Sequence, residues 1–264
     1  MDMPKNIFKQ RLHERQWQVG LFVGLASPVS MEILAGTDFD WLVIDAEHTP
    51  NSPSTVMAQL QAAAPYPVQM LVRPTSHDAT LIKQYLDAGA QTLLVPLVDN
   101  AAQAQELVRA VRYPPEGIRG VAASLSRAAR WTGIKDYVRH ANQEICLVVQ
   151  VETRQGLENL DAILAVAGVD AVFIGPADLS ASMGHLGDAG HPEVRAAIDA
   201  ALPRIVAAGK AAGIFVTELE LARHYRSLGA SFIAVGGDTT LLRNAAVKLA
   251  ASFRDARPES GKAS

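Results

Sequence analysis

The sequence has a single cysteine in 264 residues, and aromatic residues make up only 6% of it. Cys146 therefore cannot form a disulfide within the chain, and its place in the apolar run ICLVVQV indicates a buried, unreactive thiol and favours a reducing compartment. No apolar run is long enough to span a bilayer, and the first residues, MDMPKNIFKQRLHERQ, lack the apolar middle of a signal peptide. We therefore expect a cytoplasmic protein.

The sequence also lacks an excess of charge of either sign. Its formal net charge is −3 and its pI is about 6.2, which gives no electrostatic reason to expect nucleic acid or a membrane surface as a partner. No G-x-G-x-x-G or Walker motif follows any apolar run. That absence argues against a nucleotide-binding, doubly wound open sheet.

What the sequence does have is a series of eight short, nearly continuous apolar runs, the pattern of parallel strands that are buried on both faces. They lie at 18–26, 41–46, 68–74, 92–98, 145–152, 169–175, 213–218 and 232–237. Helical patterns separate most of them, such as 76–90, which ends at Gly89, and 191–213, in which Pro203 predicts a kink. Eight strands alternating with helices predict an α/β fold, a (β/α)8 TIM barrel.

The domain organisation follows from the same pattern. We expect a single barrel domain over residues 1–253 and a polar, disordered tail over 254–264. The irregular segment 112–143, between the fourth and fifth predicted strands, is long for a connection and is typical of a functional or interface segment.

Polar residues stand at the ends of several apolar runs, and in a (β/α)8 barrel the carboxyl ends of the strands carry the chemistry. These residues are Asp45, Glu47, His48, Arg73, Gln150, Glu152 and Asp178. Taken singly, each has a structural alternative: an acid caps the next helix, Arg73 is the ion-pair partner of a buried Glu152, and His48 is a turn histidine. Their convergence on one rim predicts a site instead.

The residue types at this rim suit a hard divalent cation. Glu152 and Asp178 offer carboxylate oxygens, and no cysteine or histidine is placed as a third, softer ligand, so Mg²⁺ or Mn²⁺ is expected. Two carboxylates leave positions for a chelating substrate such as a 2-oxo acid. An arginine beside the metal would stabilise an enolate oxygen, and a histidine would move the proton.

The motifs WLVIDAEHTPNS, VRP, QTLLVPLV, RYPPEGIRG, VQVET and GVDAVFIGPADLSASMG together resemble the HpcH/HpaI aldolase family, from about residue 6 to about 253. The resemblance implies a class II pyruvate aldolase with a divalent metal, Mg²⁺ or Mn²⁺ with Co²⁺ or Zn²⁺ as alternatives. The implied site residues are as follows: metal ligands Glu152 and Asp178; substrate contacts Gln150, Ala177, Asp178 and Arg73; base His48, oriented by Asp45 and tuned by Asp87 of a neighbouring subunit.

The implied reaction is the reversible cleavage of a 4-hydroxy-2-oxo acid to pyruvate and an aldehyde through a metal-held enolate, in the breakdown of aromatic compounds. The resemblance also implies a homo-hexamer, with 238–253 as a contact helix. Phe22 and Phe215 depart from the family pattern at the aldehyde side, which leaves the preferred aldehyde open. Arg127 and Arg130 are assigned either to an acidic aldehyde or to a subunit contact.

Five alternatives stay open. A Schiff-base aldolase is disfavoured, because no lysine lies at a strand end. A lyase acting on CoA thioesters would carry further basic residues. A 2-dehydro-3-deoxyglucarate aldolase or a hydroxypyruvate-using aldolase of the same family shares the centre. From another class, a barrel that binds a 2-oxo acid without turnover would show tight binding and no proton exchange.

Overall fold

The computed structural model describes residues 1–254, so the predicted tail at 255–264 lies outside the described residues. Eight parallel strands close into a barrel in sequence order. The strands are β1 Gln18–Val23, β2 Trp41–Asp45, β3 Gln69–Arg73, β4 Thr92–Val95, β5 Cys146–Val151, β6 Ala171–Ile174, β7 Ala211–Phe215 and β8 Ala230–Gly237. The predicted (β/α)8 fold is confirmed. Three strands differ most from their predicted ranges: β1 and β4 each end three residues earlier, and β7 both begins and ends earlier.

Helices follow the strands and surround the barrel. Those of the described residues are α1 Ile7–His13, α2 Pro28–Ala35, α3 Pro53–Ala63, α4 Ala79–Ala88, α5 Ala101–Val111, α6 Tyr137–Glu144, α7 Arg154–Glu158, α8 Leu160–Leu164, α9 Pro176–Ser182, α10 Pro192–Ala207, α11 Leu219–Ser227 and α12 Asp238–Arg254. Among these none is long and apolar enough to cross a membrane. The helix α10 continues through Pro203.

Alternation along each strand divides the apolar side chains between two cores. In β2, Leu42 and Ile44 pack against the surrounding helices, whereas Trp41 and Val43 point into the barrel. Every residue of β2 is buried, as expected for a strand covered on both faces. Cys146 belongs to the interior core, and burial raises the pKa of its thiol well above the ordinary value, so the expected buried thiol is confirmed.

The amino-terminal end of the barrel is closed by aromatic side chains. Phe8 of α1 makes edge-to-face contacts with Trp41 and Phe232, at ring-centroid distances of 5.9 and 5.6 Å. A Cβ at Gly20 would lie 2.1 Å from the Trp41 ring, so only glycine leaves room for that indole. The opposite, carboxyl end therefore remains as the open end of the barrel.

Candidate active site

A cavity of about 460 Å³ opens at the carboxyl end of the barrel. Its lining brings together most of the residues predicted from the strand ends: His48, Arg73, Gln150, Glu152, Ala177 and Asp178. Three phenylalanines from three different strands, Phe22, Phe173 and Phe215, complete one wall. Polar groups thus converge on a partly aromatic pocket, the usual constitution of a small-molecule site.

Arg73 is held in one orientation by the strand that precedes it around the barrel. Asp45 and Arg73 are register partners in the β2–β3 pair. Arg73 donates from Nε to Asp45 Oδ1 and from Nη2 to Asp45 Oδ2, both at 2.9 Å. This two-point pairing fixes the guanidinium plane, which lies 4.9 Å from the centre of the Phe22 ring. Arg73 does not pair with Glu152, so the structural alternative for that pair is wrong.

Glu47 is a site residue to which sequence analysis gave no role, although its place beside Asp45 and His48 was the available signal. Its Oε2 lies 2.8 Å from Nη1 of Arg73 and 3.6 Å from Nε2 of His48. Burial raises the pKa of the Glu47 carboxyl above its ordinary value, although Arg73 and His48 act to lower it. Glu47 therefore links the arginine to the histidine.

His48 is largely exposed, with 63% of its side chain accessible at the mouth of the cavity. The carboxylate of Asp45 does not contact its imidazole. Instead Asp45 Oδ1 accepts from Arg73 and from the backbone N–H groups of Glu47, at 3.0 Å, and His48, at 3.5 Å. Asp45 therefore shapes the backbone that carries His48. The prediction that Asp45 orients the imidazole directly is wrong, because the carboxylate near that ring belongs to Glu47.

Glu152 follows β5 directly and is the most deeply buried acid of the site, with 1% of its surface exposed. Its Oε1 accepts a hydrogen bond of 2.8 Å from the N–H of Leu97, a residue held at the positive φ of 54°. Its Oε2 accepts from the amide of Gln150, whose own carbonyl oxygen has no partner among the described residues. The strained Leu97 thus aims a donor at this carboxylate.

Burial raises the pKa of Glu152 to about 7, and the negative charges of Asp178 and Glu47 add to this effect. No cation of the described residues forms an ion pair with Glu152. Glycine at position 175 permits the close approach of both side chains, since a Cβ there would lie 2.4 Å from Glu152 Oε2 and 2.8 Å from Gln150 Nε2. Glu152 also lines the cavity, and a buried carboxylate without an ion-pair partner that faces a cavity could hold a cation.

Asp178 lies in the first turn of α9 and is exposed to the cavity. Gly175, not Asp178, is the N-cap of this helix, and the helix has no side-chain cap hydrogen bond. The capping role that was the alternative for Asp178 is therefore wrong. Glu152 and Asp178 line the same cavity, so carboxylate oxygens, the ligands that hard divalent cations prefer, reach it from two elements.

Asp87 lies outside this cavity. It stands in the last turn of α4, at the amino end of the barrel, and its Oδ1 accepts a bond of 2.9 Å from the fully buried Arg119 of the same chain. Within one chain it cannot reach His48. Its predicted role depends on a neighbouring subunit and stays a prediction.

The comparisons with known proteins agree with this geometry. A model of the HpcH/HpaI aldolase/citrate lyase family matches residues 18–245. A hydroxypyruvate/pyruvate aldolase from Pseudomonas aeruginosa is 57% identical over 98% of this chain and 96% of that protein. A 4-hydroxy-2-oxo-heptane-1,7-dioate aldolase from Escherichia coli (strain ATCC 8739) is 57% identical over 94% of this chain and 95% of that protein.

Among solved structures, an HpcH/HpaI aldolase/citrate lyase family protein from Burkholderia cenocepacia J2315 has a TM-score of 0.91 and 40% identity, and the match covers 95% of this chain and all of that one. The family is divalent-metal dependent. The chain therefore belongs to the HpcH/HpaI aldolase/citrate lyase family, and it is a carbon–carbon lyase of the class II pyruvate aldolase type.

Proposed function

We propose that the protein cleaves 4-hydroxy-2-oxo acids, such as 4-hydroxy-2-oxoheptanedioate, to pyruvate and an aldehyde, and joins the two in the reverse direction. The observation that carries this proposal is the cavity itself, in which the buried Glu152 and the clamped Arg73 face the same space. An enolate that forms there would meet a fixed guanidinium, and preorganised positive charge is the main means of stabilising such a species.

The proposed cofactor is a divalent metal ion, Mg²⁺ or Mn²⁺ with Co²⁺ or Zn²⁺ as alternatives, held by Glu152 and Asp178. The residues fit such an ion, because Glu152 is buried without a paired cation and both Glu152 and Asp178 line the cavity. When bound, the ion would polarise the 2-oxo group and so acidify the hydrogens at C3.

Gln150, Ala177 and Asp178 are the proposed substrate contacts. Gln150 donates to Glu152 and so fixes that carboxylate, and its carbonyl oxygen is free to accept from the substrate side. Ala177 and Asp178 occupy the first turn of α9, where backbone N–H groups have no partner within the helix. Those N–H groups would bind the carboxylate of the 2-oxo acid.

Arg73 is proposed to stabilise the negative oxygen of the enolate and the developing alkoxide. A guanidinium has five N–H groups, and the two hydrogen bonds to Asp45 account for two of them. The others remain for the ion pair with Glu47 and for the substrate. The two-point contact with Asp45 holds the positive charge of Arg73 in one orientation at the wall of the cavity.

His48 is the proposed base, acting directly or through a water molecule because its ring stands at the exposed mouth. In cleavage it takes the proton of the C4 hydroxyl, the C3–C4 bond breaks, and the electron pair of that bond becomes the enolate of pyruvate. The proton then returns to C3. Glu47 keeps the imidazole in place, and Asp87 of a neighbouring subunit is the proposed residue that raises its basicity.

The aldehyde would lie against the aromatic wall. The rings of Phe22 and Phe215 pack edge to face with their centroids 5.8 Å apart, and the centroids of Phe22 and Phe173 lie 6.4 Å apart. Such a wall offers apolar contact and few hydrogen-bond donors, so we expect several aldehydes to be accepted.

A second donor, hydroxypyruvate, is favoured by one observation. The Pseudomonas aeruginosa relative, at 57% identity over nearly the whole chain, is named a hydroxypyruvate/pyruvate aldolase. Hydroxypyruvate would present the same carboxylate and 2-oxo oxygens to the site, with a hydroxyl group at C3. Comparing kcat/KM for the two donors with one aldehyde would decide between them.

The proposed assembly is a homo-hexamer. The helix α12 supports an oligomer, because its large apolar side chains Leu241, Leu242, Val247, Leu249 and Phe253 are all more than half exposed. Light scattering on the purified protein would give the mass, and a monomer would contradict this part of the proposal.

The experiment that tests the function follows pyruvate release from 4-hydroxy-2-oxoheptanedioate. The protein is treated with EDTA and then assayed with no metal and with Mg²⁺, Mn²⁺, Co²⁺ or Zn²⁺. We expect cleavage only after a metal is restored. Cleavage that persists without any metal would contradict the proposed cofactor, and no cleavage of any 4-hydroxy-2-oxo acid would contradict the substrate class.

A further inference from the structure

A second cavity, of about 180 Å³, lies at the amino end of the barrel. The ends of α3 and α4 and the starts of β3 and β4 surround it, so it is on the opposite side of the barrel from Arg73 and Glu152. Its polar lining consists of Asn6, Gln69, Gln91, Thr92, Arg127 and Arg130. No carboxylate is among the described residues that line it.

Of the two arginines that line this cavity, Arg127 is the more buried, with 7% of its surface exposed. It donates from Nη1 to the carbonyl of Ala88, at 2.9 Å, and from Nη2 to the carbonyl of Leu60, at 3.1 Å. These carbonyls belong to the last turns of α4 and α3, which carry partial negative charge. The contacts hold the guanidinium rigidly and balance part of its charge.

Arg130 has no comparable compensation. The one hydrogen bond that its side chain makes to a described residue runs from Nη1 to the backbone carbonyl of Arg127, at 3.1 Å. Neither arginine has a carboxylate within ion-pair distance in residues 1–254. Burial, together with the charge of Arg130, lowers the pKa of Arg127 to about 10, so the carbonyls do not balance the two charges fully.

The backbone that carries Arg130 is strained. Arg130, Trp131 and Thr132 have positive φ values of 51°, 50° and 73°, a conformation that non-glycine residues adopt at a cost of about 1 kcal/mol or more each. Arg127 and Arg130 line the same cavity, and their positive charges repel each other, as the lowered pKa of Arg127 reflects. Such an arrangement is stabilised when an anion binds between the two groups.

We propose that this cavity is a binding site for a small oxyanion of the size of sulfate or phosphate, held between Arg127 and Arg130. A volume of about 180 Å³ accommodates one such anion with several waters, each of which takes roughly 30 Å³. Within a single chain this site cannot serve an acidic aldehyde, because the aldolase cavity is at the other end of the barrel. Within one chain it is therefore separate from the cavity that holds Arg73 and Glu152.

The test uses the enzyme with Mg²⁺ and pyruvate at saturation, so that the catalytic cavity is filled. Sodium sulfate is titrated by calorimetry at an ionic strength kept constant with sodium chloride, and phosphate is then compared. We expect saturable binding with one site per chain. Arg130→Gln should weaken sulfate binding at least tenfold, because a charged donor is lost, while the rate at which the 4-hydroxy-2-oxo acid is cleaved stays unchanged.

The matched control is Arg139→Gln, which removes one exposed arginine of α6 and should leave sulfate binding unchanged. If Arg130→Gln does not fold, Arg130→Lys replaces it, because it keeps the charge but loses the planar fork and should still weaken binding. Equal affinity in the wild type and the variant overturns the proposal. So does an absence of sulfate binding combined with a lower oligomer mass for Arg130→Gln, which would assign the cavity to a second copy of the chain.

Discussion

At the carboxyl end of the barrel two carboxylates, of Glu152 and Asp178, line a cavity together with the single arginine Arg73, whereas at the amino end two arginines line a cavity that no described carboxylate lines. The first end leaves negative charge uncompensated at Glu152, and the second leaves positive charge uncompensated at Arg130. Between them lies a dry core of aliphatic and aromatic side chains. The apolar core of one barrel thus separates a cavity with excess negative charge from a cavity with excess positive charge.

The largest effect should come from the acid that carries the uncompensated negative charge. Glu152→Gln should lower the rate of cleavage by about 10³-fold or more, because the proposed metal ion would lose its buried carboxylate ligand. The fold should survive, since a glutamine can still accept from Leu97 and the Gln150 amide can turn its free carbonyl oxygen toward it. Steady-state kinetics measure the change.

The control for this variant is Glu158→Gln, an exposed acid of α7 outside the cavity. It should cleave at the wild-type rate. Calorimetric titration with Mn²⁺ gives a second readout, and wild-type metal affinity in Glu152→Gln would refute the assignment of this residue as a ligand.

The core that separates the two ends can be weakened at its amino-terminal closure. Phe8→Ala should lower the free energy of unfolding by about 3–4 kcal/mol, because the ring is 1% exposed and its removal leaves a cavity between Trp41 and Phe232. Chemical denaturation measures this, and cleavage at 25 °C should persist.

Leu186→Ala serves as the comparison variant, since that side chain is 86% exposed and its loss should change stability by no more than about 0.5 kcal/mol. Similar losses for the two variants would mean that α1 does not close the barrel.

The two-point contact that orients Arg73 should matter somewhat less. Arg73→Lys keeps the positive charge but cannot bridge Asp45 and Glu47, so the charge is no longer fixed toward the substrate. We expect kcat/KM to fall about 100-fold, mostly through kcat, because the stabilisation applies to the transition state. Arg223→Lys, at an exposed site on α11, is the matched control. A change confined to KM would make Arg73 a binding residue only.

The smallest expected effect depends on pH and concerns the amino end. Glu144 accepts from Lys5 Nζ at 2.7 Å and from the N–H of Asn6 at 2.8 Å, and although its burial acts in the opposite direction, these contacts lower the pKa of its carboxyl below 4.5. A lowered pKa means that the stabilisation is present above pH 4.5 and is lost as the pH falls through the folded-state value.

Glu144→Gln should therefore lower the free energy of unfolding by about 1 kcal/mol at pH 7 and should approach the wild type near pH 3. Urea denaturation at the two pH values measures this, with Glu158→Gln as the exposed control. An equal difference at both pH values would show that the carboxylate charge plays no part.

Much of this arrangement was predictable because strand ends of a closed parallel barrel meet at one rim. The runs that end near Arg73, Gln150 and Glu152 therefore placed these residues correctly in the same cavity. The pairing of side chains was not predictable. The sequence alone does not show whether the carboxylate of Asp45 contacts His48 or Arg73. The β2–β3 register places Asp45 beside Arg73, and this register explains why the contact is with the arginine.

The irregular segment at 112–143 limited prediction for a different reason. It has no hydrophobic period over most of its length. Nothing in the sequence therefore indicated that Arg119 would be fully buried against Asp87, or that Arg127 would donate to backbone carbonyls in the last turns of α3 and α4. Contacts that join residues from distant loops depend on the completed packing. Strain at Arg130 likewise becomes visible only from its backbone angle.

The most direct test of the central claim follows the methyl signal of pyruvate by NMR in D₂O, with the enzyme and Mg²⁺, and needs no choice of aldehyde. We expect metal-dependent exchange of the methyl hydrogens for deuterium. This exchange should be abolished by EDTA and in Glu152→Gln, and it should be retained in Glu158→Gln. Bound metal and bound pyruvate without any exchange would contradict enolate formation at this site and would favour a barrel that binds a 2-oxo acid without turnover.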